Sequence, residues 1–174
     1  MESNDSVWSR LASRAIRVLL VRKEVSYARL AVDLSRLGAE ESARSVEGKV
    51  QRGTFRFSFF LQSLAAVEAD CPGHWMPALR EPREWEHRAA LLMQQELAAR
   101  PWLTWQELSR RLEVIGERIA PETLAAQITS GVFSAALFLQ CAVVCSFDGL
   151  ELFLDQSDLR EAARKGASFR AGQA

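Results

Sequence analysis

The side chains best equipped for chemistry are gathered in one short stretch, where Arg44, Glu47, Lys49, Gln51 and Arg52 all fall between positions 44 and 52. An Arg or Lys on an exposed helix can bond guanine O6 and N7, and Gln can pair with the adenine edge. Cations near the end of such a helix more often hold phosphates. Upstream, Arg10, Arg14 and Arg17 share the polar side of another helical stretch. The residues that could touch double-stranded DNA are therefore Arg44, Lys49, Gln51 and Arg52, with Arg14 and Arg17 of the first helix joining them into one positive face. The competing use of the same side chains is a solvated or protein-binding face. Other chemistry is thinly supplied. Cys71 and His74 are close in sequence, but His87 and the Cys141/Cys145 pair stand at no zinc-ligand spacing from them. Cys141 and Cys145 share one side of an apolar helix, where free cysteines are commonly buried. There is no Gly-rich phosphate loop, supported carboxylate pair or nucleophile motif, and two histidines leave little neutral-pH base chemistry. The expectation is a protein without catalytic residues, metal or cofactor.

Helices must hold these side chains in place. From Trp8, apolar residues at 11, 12, 15, 16, 19 and 20 form one stripe of a helix running to about Arg22. Residues 1–6 are polar and read as loose. Ser26 is a candidate N-cap for a second helix, with Tyr27, Leu30, Ala31 and Leu34 inward and Gly38 at its end. A third helix spans about Glu41 to Arg52, with Ala43, Val46 and Val50 as its buried edge and Gly53 as its stop. A fourth, about Phe57 to Val67, carries the aromatic centre of a core.

The same plan returns 78 residues later. Ser26-Tyr27-Ala28-Arg29-Leu30 aligns with Thr104-Trp105-Gln106-Glu107-Leu108, and Gly38, Gly53 and Phe55 align with Gly116, Gly131 and Phe133. Phe60-Leu61-Gln62 aligns with Phe138-Leu139-Gln140, while Trp8 meets Trp85 after a one-residue adjustment. Internal repetition fixes the architecture ahead of any local assignment. Thr104 to Glu107 is a capping-box sequence, and Pro121 suits the first turn of the next helix. The fold class is all-α: two tandem helical bundles of about four helices each, packed together. The units run over residues 7–68 and 84–145, with a linker at 69–83 and a partly helical C-terminal extension at 146–167.

Prolines at 72, 77 and 82 allow no regular helix in the linker before Glu84. Trp75 in the linker, Trp102, Phe147 and Phe153 are candidates for an interaction surface, serving a homodimer or a protein partner. Their alternative use is packing between the two units. The Asp148-Gly149 turn leads into a segment too short to separate strand from helix. A last helix runs through about Lys165, followed by a frayed tail.

Formal charge is zero, from 22 basic and 22 acidic residues. The division is uneven: 11 Lys/Arg face 8 Asp/Glu in residues 1–68, and 11 face 14 in residues 69–174. Phosphate neutralisation dominates non-specific nucleic-acid affinity, so only the first unit is electrostatically suited to it. The second unit's matching surface, Glu122, Ala125, Ala126, Gln127, Thr129 and Ser130, has no cation. A chain with one such helix would dimerise before gripping a palindrome. No run reaches the 18 or so apolar residues that span a bilayer, no signal peptide is recognisable at the N-terminus, and an odd cysteine number suits a reducing setting. A cytoplasmic protein without a membrane segment is expected.

Trp8, Val25-Ser26-Tyr27, Leu30-Ala31, Leu37-Gly38, Lys49, Arg52-Gly53-Thr54-Phe55 and Phe59-Phe60-Leu61-Gln62 together resemble an uncharacterised bacterial helical domain family. Less closely, the chain resembles a lengthened phage-repressor-like helix-turn-helix domain. The resemblance covers about residues 8–67 well and 85–145 in outline. It implies a fold and, through the repressor group, DNA binding and transcription regulation. It brings no established activity. Two features depart from the repressor group. Tyr27 and Trp105 stand where a phosphate-contacting glutamine commonly begins the second helix. Gly38 and Gly53 are also spaced more widely than in the compact motif.

Overall fold

In the computed structural model, which describes residues 4–171 and the side chains of residues 7–168, the repeat reappears helix by helix. The helices are α1 (Asn4–Arg22), α2 (Tyr27–Arg36), α3 (Ala43–Arg52), α4 (Phe57–Ala66), α5 (Met76–Arg80), α6 (Trp85–Ala98), α7 (Trp105–Val114), α8 (Pro121–Ser130), α9 (Ala135–Cys145) and α10 (Gln156–Ala171). Short 3-10 turns cover Gly73–Trp75 and Leu150–Leu152. The starts of α2, α3 and α4 recur at α7, α8 and α9 with the 78-residue offset.

The local causes recur too. Ser26 and Thr104 each accept from the amide three residues on, closing the first turns of α2 and α7. The capping box at Thr104 is only half made, because the Glu107 carboxylate turns to Arg110 and Arg111. Those guanidinium hydrogen bonds, Arg110 first, hold its pKa down at about 2. Gly53 and Gly131 end α3 and α8 in the left-handed conformation, with φ of 68° and 73°. They also mark close approaches. A Cβ on Gly53 would lie 1.8 Å from the Ser9 carbonyl oxygen, and one on Gly131 would lie 1.8 Å from that of Glu86. Only glycine fits either place, so the start of each repeat's first helix can lie directly on the end of its third.

The two repeats are interlaced. α1 packs on α3 of its own repeat and on α9 of the other, while α6 packs on α8 and on α4. Exchanging the repeats maps this set of contacts onto itself, as an approximate twofold axis requires. The axis passes an isolated bridge, where Arg56 lies antiparallel to its own counterpart Ser134. Phe57 N–H donates to Phe133 O at 2.9 Å, and Ala135 N–H donates to Phe55 O at 3.0 Å. Around the axis, Phe57 stacks on Phe138 with ring centroids 3.9 Å apart and on Phe133 at 5.6 Å. A single apolar core therefore serves both repeats.

Three expectations are corrected outside the repeats. The linker is helical in part, since Pro77 occupies the first turn of α5, where no amide is required of it. The first helix begins by Asn4, within the polar segment 1–6 that was expected to be loose; residues 1–3 lie outside the described residues. The last helix continues to Ala171, into the tail expected to fray after residue 167; residues 172–174 lie outside the described residues. The undecided segment near 150 is a 3-10 turn.

Candidate nucleic-acid interface

α3 lies against α1 and α2 through Val46 and Val50, both buried. Ser42 caps its start by accepting from Ser45 N–H at 3.1 Å, and Gly53 fixes its end. The outward face then carries Arg44, Glu47, Gln51 and Arg52, all exposed. Arg44, Gly48 and Arg52 lie four residues apart on one line of the helix. A Cβ at Gly48 would come 3.1 Å from the Arg52 guanidinium, which folds back along that line. Two guanidiniums two turns apart, with a glycine between them, leave room for a backbone to approach. Neither Arg44 nor Arg52 makes an ion pair or hydrogen bond among the described residues.

The other candidates are engaged. Lys49 pairs with Glu41 and lies over the Phe59 ring at 4.7 Å, with 31% of its side chain exposed. Gln51 donates to Glu47 at 3.0 Å. Arg14 pairs with Asp158 of α10, and Arg10 lines the same α1–α10 groove. Only Arg17, of the helix-one pair, stays exposed with no partner among the described residues. The cationic face expected to run from α1 across α3 is therefore reduced to Arg44, Arg52 and Arg17. It loses Lys49 and Arg14 to carboxylates supplied from the 37–42 connection and from α10. Arg56, exposed next to the axis with Glu86 at 3.7 Å, is a further cation close to the end of α3. Sequence reasoning passes over it, although its replacement by Ser134 in the second repeat is a visible signal.

The aromatic interaction surface is also corrected. Trp75, Phe147 and Phe153 are 1%, 4% and 3% exposed and belong to the core, where the linker and the 147–153 segment close over the bundle. Trp75 stacks on Phe153 at 5.7 Å and its indole N–H donates to Glu96 at 3.1 Å. Glu96 is itself buried, and Arg100 ties it to the Cys145 and Ser146 carbonyls while lying over Phe147 at 4.7 Å. This buried charge is matched by neighbours on every side, as burial of a carboxylate demands. Trp75, against Phe57 and Phe138, and Phe153, against Phe60, take the alternative use of packing between units, while Phe147 lies on Phe138 of the second unit. Trp102 alone stays exposed, at 53%, with the Arg111 guanidinium over its ring at 4.4 Å.

Among the described residues no His, Cys, Asp and Glu form a group that could hold a metal. None of the helices is long and apolar enough to cross a membrane. The three cysteines are unbridged, and burial pushes the Cys145 thiol up to about 11. The chain belongs to the family described as Domain of unknown function (DUF6471), whose profile it matches twice, over residues 8–71 and 85–150. No curated protein and no solved structure matches it.

Proposed function

We propose that the protein is a DNA-binding regulator acting by site occupancy, with α3 of a repressor-like first repeat meeting the duplex. The observation that carries this reading is the unpaired row of Arg44 and Arg52 on a helix whose two ends are fixed by Ser42 and Gly53. Arg44 and Gln51 suit base edges, and Arg52 and Arg17 suit phosphates. No catalysis or cofactor enters the mechanism. The connection from Leu37 to Ser42 is longer than the about 3–4-residue turn of a compact helix-turn-helix, so the angle of entry differs from the repressor group. With few phosphate contacts per chain, affinity rests on a homodimer. A gel-shift titration of random and genomic duplexes at two salt concentrations tests this. Binding should fall steeply with salt and drop about tenfold or more in an Arg44→Ala/Arg52→Ala chain. Absence of duplex binding by the folded protein at low salt ends the reading.

A second reading draws on the capture of Lys49 and Arg14 by Glu41 and Asp158. It takes the duplicated scaffold as a protein-interaction module or inhibitor. Trp102 is the exposed aromatic such a module would offer. Pull-down that survives Arg44→Ala/Arg52→Ala and fails on Trp102→Ala would favour it.

A further inference from the structure

The line of α3 that carries Arg44 and Arg52 also carries Gly48 midway between them, and nothing inside the protein calls for a glycine there. Glycine in a helix interior is less favourable than alanine, because its backbone gives up more freedom on folding. Gly53 and Gly131 answer to a left-handed backbone and to the carbonyls lying against them. Gly48 meets neither condition. It lies inside the right-handed helix, and a Cβ there would meet only the Arg52 guanidinium, the movable end of a side chain.

Val46 and Val50, two positions to either side, are buried. At about 100° per residue, Gly48 stands on the opposite side of the helix from both. The second repeat shows that the architecture accepts a side chain at this place. Ala126 occupies it in α8, a helix of the same 10 residues that ends on the same left-handed glycine. The whole line changes at once, from Arg44, Gly48 and Arg52 to Glu122, Ala126 and Ser130. The glycine is present with the cations and absent without them.

Its use then lies outside the chain. A helix with its side chains is about 10–12 Å across and the major groove is about 12 Å wide, so a helix in the groove has little clearance. A bare position in the middle of its outer line lets one wall of the groove, the sugar–phosphate backbone of a strand, come against the Cα. Arg44 in the first turn of α3 is then placed for base edges, and Arg52 in the last turn for phosphate. We infer that Gly48 is the contact at which the duplex backbone lies directly on α3. The Arg52 guanidinium that covers it in the free protein swings out to a phosphate as the DNA takes its place. This contact rests on the DNA-binding reading and adds a steric requirement to the electrostatic one.

Gly48→Ala separates the two requirements, read by gel shifts at two salt concentrations and a thermal melt of each chain. The substitution should raise the melting temperature by about 2–4 °C, since alanine favours the helix. It should nevertheless weaken duplex binding about tenfold, through a clash with the strand. Because no cation is removed, the dependence of affinity on salt should stay that of the parent chain, unlike the shallower dependence of Arg44→Ala/Arg52→Ala. The same loss should follow when Gly48→Ala is added to Arg52→Ala, the clash being with DNA and not with the guanidinium. Duplex binding that weakens in Arg44→Ala/Arg52→Ala and is untouched by Gly48→Ala would overturn the Gly48 contact and leave the DNA reading standing. A loss confined to chains that keep Arg52, or a lowered melting temperature, would overturn it too, giving the glycine a structural role. Absence of duplex binding by the parent chain ends both.

Discussion

Set side by side, the two repeats keep their insides and exchange their outsides. Leu30, Leu34, Val46 and Val50 of the first repeat become Leu108, Leu112, Leu124 and Ile128 of the second, all buried. The glycines that let a helix start rest on a helix end, Gly53 and Gly131, are unchanged. On the surface Arg44 becomes Glu122, Lys49 becomes Gln127 and Arg52 becomes Ser130. Even the caps divide in this way. Ser26 and Thr104 both work, whereas the cap at Ser42 gives way to Ala120 followed by Pro121. Packing accepts apolar replacements of similar size most readily, while a solvated position costs little to alter. The shared interior holds both copies to one architecture, and their faces are free to take different tasks.

The largest effect should come from cutting the comparison in two. Because α1 packs on α9 and α6 on α4, a chain stopped after residue 80 should fail to fold as a monomer. Mixing it with residues 81–174 should restore helicity by circular dichroism; a folded monomeric half would show that the interlacing is dispensable. Next in size, Gly53→Ala and Gly131→Ala should each cost about 2–5 kcal/mol in urea unfolding, joining left-handed strain to a clash with a backbone carbonyl. Unequal losses would show that one junction relaxes more easily. Rewriting the second face to match the first, by Glu122→Arg with Ser130→Arg, should tighten duplex binding about tenfold at low salt and steepen its salt dependence by about two ions. No change would mean that α8 does not reach the duplex when α3 does. Lys49→Gln, which copies Gln127 into the first repeat, should cost about 1 kcal/mol through the lost ion pair and ring contact. Smallest of all, a thiol reagent at pH 8 should label Cys71 first and leave Cys141 and Cys145 untouched until unfolding. Burial raises all three thiols, and Cys141 and Cys145 are the buried ones.

The repeat, the helix stops at Gly53 and Gly131 and the all-α class are legible in sequence because they rest on short-range rules of capping, glycine conformation and 3.6-residue periodicity. The interlacing is not legible. The apolar stripe of α1 looks the same whether it covers its own repeat or the other, and only three-dimensional closure decides. The fate of the basic candidates shows the same limit. Arg44 and Arg52 sit on the predicted outward face, but the carboxylates that engage Lys49 and Arg14 come from outside their helices. Glu41 lies eight positions before Lys49, and Asp158 lies on a helix 144 positions away from Arg14. Trp75, Phe147 and Phe153 mislead for a related reason. An aromatic in an irregular segment reads as exposed until the segment is seen folding back over the bundle.

Crossed first helices have one more effect when both copies share a chain. Two separate chains exchanging helices in this way would form an obligate pair, melting at a temperature set by how much protein is present. Joined by the 69–83 segment, each half meets its complement at a fixed, high effective concentration however dilute the cell's supply. A substitution in one copy is no longer forced on the other.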